Sequence, residues 1–205
     1  MQIKLSKVGK RFLRNWIFKD VNLTLEGEKV YGLVGHNGSG KSTLLQIIAG
    51  FLSPSRGEVQ FEKDGLSISR NELNSHLSFC SPYTELIEEL SLEEHLDFHK
   101  KFRPFLDNKS TADIIELLDM KKERNKAIRF FSSGMKQRLK LALSILCEAS
   151  IILLDEPSTN LDAKNSAWFL EILEKYKGDR LVIIASNVES DLQLCSERIS
   201  VEDFK

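Results

Sequence analysis

A chain of 205 residues, 41% hydrophobic and 29% charged, is long enough for one sizeable core and has the composition of a globular protein. Its 29 Lys and Arg nearly cancel 30 Asp and Glu, which excludes a strong field for nucleic acid or anionic lipid. The opening MQIKLSKVGKRF lacks an apolar signal core, no run of about 18 apolar residues occurs later, and three scattered cysteines (Cys80, Cys147, Cys195) read as thiols of a reducing compartment.

In chain order, Ile3 and Leu5, then Val21, Leu23 and Leu25, alternate as two half-buried strands joined by a polar turn. The cations of this stretch, Lys4, Lys7, Lys10, Arg11, Arg14 and Lys19, read mainly as a solvated face, with a place near a bound anion as the alternative. KVYGLVG (29–35) is a two-sided apolar run that suits a buried parallel strand. Leu44, Leu45, Ile47 and Ile48 come next at helical spacing, GEVQFEKDG (57–65) reads as a hairpin, and HLSFCSP (76–82) as a short strand.

From about 83 to 150 the pattern turns helical. Ser91 and Glu94 form a capping-box pair before one helix, STADIIELLDM gives a second, and the SSG stretch opens a third. Beyond it come the strand ASIILLDEP, the helix AKNSAWFLEILEKY, the strand RLVIIAS and a last short helix in VESDLQLCSE. Strand and helix alternate around the insert, which predicts a parallel sheet covered by helices. The expected division is one domain over 1–205, with 1–82 and 151–205 as the core and 83–150 as a helical subdomain.

GHNGSGKST (35–43) fits G-x-x-x-x-G-K-[ST] and sits between the apolar strand and a helix. Glycines let successive backbone amides turn inward around phosphates, and the helix adds its positive end. Gly35, Asn37, Gly38, Ser39, Gly40, Lys41, Ser42 and Thr43 are the candidate nucleotide-binding residues. Lys41 is placed on the β- and γ-phosphates and Ser42 on Mg²⁺. In IILLDEP, Asp155 and Glu156 emerge at the carboxyl end of a buried strand, where open α/β sheets bind ligands. Asp155 is the second candidate Mg²⁺ ligand, and Glu156 the group that orients or deprotonates an attacking water. The bland readings are a chance glycine-rich turn and an ordinary acidic helix cap.

FFSSGMKQRLKLALSIL (130–146) starts a helix at Ser132–Gly134, with Met135, Leu139, Ala142, Leu143 and Leu146 as its apolar stripe. Unpaired amides and serine hydroxyls there make an anion site, although SSG is also an ordinary N-cap. His95 and His99, four apart on one helix, lack a third ligand and read as packing or surface residues.

Across nearly its whole length the chain resembles the nucleotide-binding subunit of an ABC transporter. GHNGSGKST looks like Walker A, FSSGMKQR the signature, IILLDE Walker B, and STNLD (158–162), with Asp162, the D-loop. The resemblance implies a P-loop NTPase (RecA-like) α/β core with a mostly parallel sheet, an N-terminal antiparallel β-subdomain and an inserted α-helical subdomain. It implies ATP and Mg²⁺ as cofactors. It also implies a head-to-tail homodimer or heterodimer in which Ser132, Ser133, Gly134 and Met135 close over the partner's γ-phosphate. The implied partner is a separate transmembrane permease docking near residues 81–102, with the chain peripheral on the cytoplasmic face of the membrane. No nucleic acid is expected. Phe12 stands where the family stacks an aromatic on adenine, with Trp16 as rival. The chain stops soon after the last predicted helix, as in compact bacterial subunits of haem-exporter type.

Departures from the family pattern matter as much. Pro82 stands where a glutamine is usual and offers no side-chain oxygen to a metal. Asn187 replaces the switch histidine: it donates a hydrogen bond but takes up no proton or positive charge. Ser133 replaces a glycine, and Met135 a glutamine. The expectation is therefore ATP binding with slow hydrolysis. Alternatives are a soluble non-transport ABC ATPase, or a nucleotide-dependent regulatory module.

Overall fold

The computed structural model describes every residue from Met1 to Lys205 and divides into two compact units. The first holds Met1–Phe79, Ala149–Glu156 and Lys177–Lys205; the second holds Cys80–Glu148 and Pro157–Tyr176. Residues 157–176, expected with the strand-bearing core, group with the helical unit.

The elements of the first unit run β1 (Gln2–Phe12), β2 (Asn15–Glu26), β3 (Val30–Val34), α1 (Lys41–Ile48), β4 (Arg56–Lys63), β5 (Leu66–Ser67), α2 (Arg70–His76) and β6 (Leu77–Cys80). After the helical segment come β7 (Ile151–Asp155), β8 (Leu181–Ala185) and β9 (Glu197–Ser200). The alternating strands form an antiparallel sheet in the order β2-β1-β4-β5. The continuous apolar strands form a second sheet, β6-β7-β8-β3-β9, in which β7, β8, β3 and β9 are mutually parallel. Alternation gives one wet face, whereas VYGLV, IILLD and LVIIA are buried on both. Ile3, Phe18, Leu33, Leu44, Ile48 and Ile151 join both sheets and α1 in one core. Each such side chain, fully buried, contributes about 1.5–3 kcal/mol.

Two differences from the sequence reading have local causes. Helix α2 is short and polar, so it has almost no apolar stripe; its one signal is the capping box of Ser69 and Glu72. The last expected helix is only a 3₁₀ turn, Glu189–Leu192, and the chain then extends as β9 beside β3. One buried residue, Ile199, is too little pattern to declare a strand.

In the second unit the helices are α3 (Leu92–Phe102), α4 (Thr111–Leu117), α5 (Ser133–Ile145) and α6 (Ala163–Tyr176). Ser91 with Glu94, and Ser110 with Asp113, cap α3 and α4 reciprocally. The guanidinium of Arg138 on α5 lies over the Trp168 ring of α6. Arg138 donates to the Leu118 carbonyl and the Trp168 indole to that of Leu117, 3.0 Å away. One stacked pair thus satisfies orphan carbonyls at the end of α4 and ties three helices together. His95 is buried and His99 stacks on Phe105, so both are packing residues.

Candidate functional site

The sheet register assembles the site in the first unit. Asp155 pairs with Ala185 and Leu33 pairs with the same Ala185, so three neighbouring strands end in one row. The residues just beyond those strands therefore emerge at a single edge: Glu156 after β7, Ser186 and Asn187 after β8, and the 35–40 loop after β3. Backbone bonds lock the row, from Glu156 N to Ala185 O at 2.8 Å and from Ser186 N to Leu33 O at 3.3 Å.

Within the loop, Lys41 opens α1 and is 5% exposed. Its ammonium folds back to donate to the carbonyls of Gly35, at 2.8 Å, and His36, at 3.3 Å. The turn depends on glycine where it tightens most. Gly40 has φ 111°, and a Cβ there would stand 2.6 Å from Ile17 Cγ2. Gly38, Asn37 and His36 form the exposed rim, whereas Ser39 is buried with its hydroxyl unpaired. A buried cation beneath backbone amides suits an anion.

Ser42 Oγ donates to Asp155 Oδ1 at 2.9 Å, and Thr43 lies half-buried beside it in the first turn of α1. Burial pushes the Asp155 carboxyl above its ordinary range, the Ser42 bond and Lys41 pull it down, and the Glu156 charge adds to the rise. A hydroxyl and a carboxylate converging beside a buried site are hard oxygen donors of the kind Mg²⁺ takes, one or two from protein. Glu156 has φ 47°, a left-handed backbone rare outside glycine. Asn187 Nδ2 donates to Asn37 Oδ1 in the loop, a contact that sequence reasoning does not foresee.

The two candidate aromatics have different neighbours. Trp16 pairs with Arg11, packs over Gly9 and lies under the cations of Arg11 and Lys19. Phe12 comes two residues after Lys10, whose ammonium covers it, and Lys10 pairs with Phe18. Phe18 in turn lies against Gly40 of the loop. Phe12 is 49% exposed and Trp16 37%, and the register of the two strands shifts between Val8 and Lys10 and again between Lys10 and Arg11.

The second unit holds the remaining candidates. Ser132 caps α5, its side chain accepting from Met135 N, and Ser132 and Ser133 lead the helix toward solvent at its amino end. Gly134 faces the left-handed Asn160; a Cβ there would approach the Asn160 carbonyl to 3.2 Å. Asp162 Oδ1 accepts from Asn165 N at 2.8 Å in the first turn of α6. Buried Gln137 donates to Pro157 O at 2.8 Å. Pro82 is half-buried, and its carbonyl accepts from Lys140 Nζ. No helix is long and apolar enough to cross a membrane.

The family described as "ABC transporter" matches residues 18–159. The mouse protein "ATP-binding cassette sub-family A member 17" is 27% identical over 186 residues, 89% of this chain but only 11% of its own length. The "uncharacterized ABC transporter ATP-binding protein YcbN" of Bacillus subtilis is 25% identical, over 97% of this chain and 66% of its own. Among solved structures, the ATP-binding cassette MJ0796, a dimer in a post-hydrolysis state bound to ADP and Pi, superposes with a TM-score of 0.82. That likeness, at 23% identity, covers 98% of this chain and 94% of that one, and it shows a shared fold. None of these three carries the expected likeness to haem exporters. With its family match spanning more than half the chain, and its loop, acidic strand end and helical unit in the matching order, this chain belongs to the ABC transporter family as an ATP-binding domain.

Proposed function

We propose that this chain binds and hydrolyses ATP as a dimer of nucleotide-binding domains and drives transport through a separate membrane permease. The observation that carries the reading is the convergence, at one sheet edge, of Lys41 under a turn of glycines, the Ser42–Asp155 pair and Glu156. Lys41 and the amides of residues 38–43 hold the β- and γ-phosphates, and Phe12 stacks on adenine. Ser42 and Asp155 hold Mg²⁺, which neutralises phosphate charge when bound. Glu156 takes the proton of the water that attacks the γ-phosphorus, while the bond to the bridging oxygen breaks to give ADP and phosphate.

Ser132, Ser133, Gly134 and Met135 belong, on this reading, to the partner's nucleotide, with Asp162 beside them in the D-loop. The dimeric, ADP-bound state of MJ0796 supports that arrangement by analogy. The permease docks on the surface that includes exposed Tyr83 and Ile87, and this places the chain on the cytoplasmic face of the membrane. Hydrolysis is slow, because Asn187 supplies a carboxamide where a titratable imidazole is usual and already bonds the loop.

Titration with a fluorescent ATP analogue tests the cradle: Lys41→Ala abolishes binding, and unchanged affinity refutes the assignment. Gel filtration tests the dimer, because Glu156→Gln with saturating Mg·ATP accumulates it. A monomeric Glu156→Gln protein under those conditions counts against the sandwich.

A further inference from the structure

The peptide joining Gly35 to His36 is gripped at both ends. Its carbonyl oxygen accepts from Lys41 Nζ at 2.8 Å, and its N–H donates to Glu202 Oε1, also at 2.8 Å. The same Glu202 oxygen lies 2.6 Å from Nδ1 of the His36 ring. Both bonds involve a charged group, so each polarises the peptide in the direction that strengthens the other.

Glu202 is well placed to hold still. It sits in the closing 3₁₀ turn, Val201–Phe204, whose Val201 is fully buried and whose Phe204 packs on the core. Gly35 leaves room for it: a Cβ at that position would stand 3.3 Å from Glu202 Oε1. The bonds to His36 hold the Glu202 carboxyl below the usual glutamate range, so it is the anion that makes them. Next to His36, Asn37 is held by Asn187, so both leading residues of the rim are braced by late segments of the chain.

We propose that Glu202 is a positioning residue for nucleotide binding: it fixes the Gly35–His36 peptide and, through its carbonyl, the starting position of Lys41. The inference rests on the nucleotide reading above. A phosphate chain draws the Lys41 ammonium off the Gly35 carbonyl, and the N–H bond to Glu202 is then what keeps the turn from relaxing. Without Glu202 the turn must be ordered when the ligand binds, which weakens affinity. The pair is partly solvent-exposed, so the effect is moderate.

The test compares wild type, Glu202→Ala and Glu202→Gln, using a fluorescent ATP analogue with Mg²⁺, steady-state hydrolysis and melting without nucleotide. Glutamine keeps the acceptor oxygen and removes the charge. Glu202→Ala should weaken binding about 3- to 10-fold and raise KM with kcat little changed, as expected for lost uniform binding. Glu202→Gln keeps an acceptor but loses the charge assistance, so it should fall between wild type and Glu202→Ala. Unchanged or tighter binding by Glu202→Ala overturns the proposal. So does equal loss in both variants in step with a lowered melting temperature, which would make Glu202 merely structural. If wild type itself fails to bind, or Lys41→Ala binds as wild type does, the nucleotide reading falls instead.

Discussion

Ser42 Oγ donates to Asp155 Oδ1 across 2.9 Å, tying the first turn of α1 to the last residue of β7. Asp155 is only 2% exposed, and burial raises its pKa above the ordinary 3.8. A raised folded-state pKa contributes stability that is complete below 3.8 and lost as pH rises through the folded value. At neutral pH without metal the charge is therefore a burden. Asp155→Asn should melt about 2–4 °C higher in chelator at pH 7, equivalent to about 1 kcal/mol. The advantage should shrink toward pH 4, while Mg-dependent nucleotide binding drops at least about tenfold, or ~1.4 kcal/mol. A lower melting temperature at pH 7 would mean that the carboxylate stabilises the metal-free fold.

The helical unit should be acid-labile. Burial, with help from Arg103 and His95, pushes His99 down to about 4, and burial lowers His95 as well. Both imidazoles are neutral when folded, so unfolding takes up protons as pH falls below their ordinary 6.5. The stability they contribute is full above 6.5 and declines until the folded His99 value near 4. For His99 the limit is about 3 kcal/mol, at ~1.4 kcal/mol per pH unit. His99→Phe keeps a ring against Phe105 and should flatten the fall in melting temperature between pH 7 and 4.5. An unaltered pH profile would place the acid sensitivity in other groups.

Asn187→His should raise the rate of ATP hydrolysis about 10-fold or more, toward the ~10²- to 10⁴-fold range ascribed to a positioned proton-transfer group. The present carboxamide is committed to Asn37 and has no proton to exchange at neutral pH. Single-turnover assays with the dimer give the answer directly. An unchanged rate would put the slow step in dimer closure or product release.

Two glycines with similar backbones should respond differently to alanine. Gly57 has φ 76°, and a Cβ there would stand 2.2 Å from the Lys7 carbonyl oxygen. Gly65 has φ 80° with nothing within 4 Å. Gly65→Ala should therefore lose only the left-handed strain, about 1 kcal/mol. Gly57→Ala should lose at least about 3 kcal/mol or fail to fold, because the clash is with backbone. Denaturant titration of both variants separates strain from collision.

Much of the fold and most of the loop and acidic residues are legible in the sequence because their signals are local. Glycine spacing before Lys41, four apolar residues before Asp155 and a serine ahead of α3, α4 and α5 act over a few positions. Helix α2 is equally local but faint, since its capping box lacks the apolar stripe that usually marks a helix. Strand β9 is not legible: a single buried isoleucine becomes a strand only because β3 offers an unpaired edge. The same holds for Glu202. A glutamate near the end of the chain gives no hint of a histidine 166 positions earlier; only the sheet brings them together. Nor does the sequence show that Asn187 finds Asn37, because that contact needs β8 and β3 to end side by side.

The backbone of Glu156 is left-handed, so the position screens its replacements by shape before it screens them by chemistry. Valine, isoleucine and threonine crowd their own carbonyl in that conformation, whereas glycine, asparagine and aspartate settle there readily. Drift at this site is channelled toward small or flexible residues, some of which retain a carboxylate. The geometry thus narrows the routes by which a descendant of this chain can lose its acid, independently of any selection for turnover.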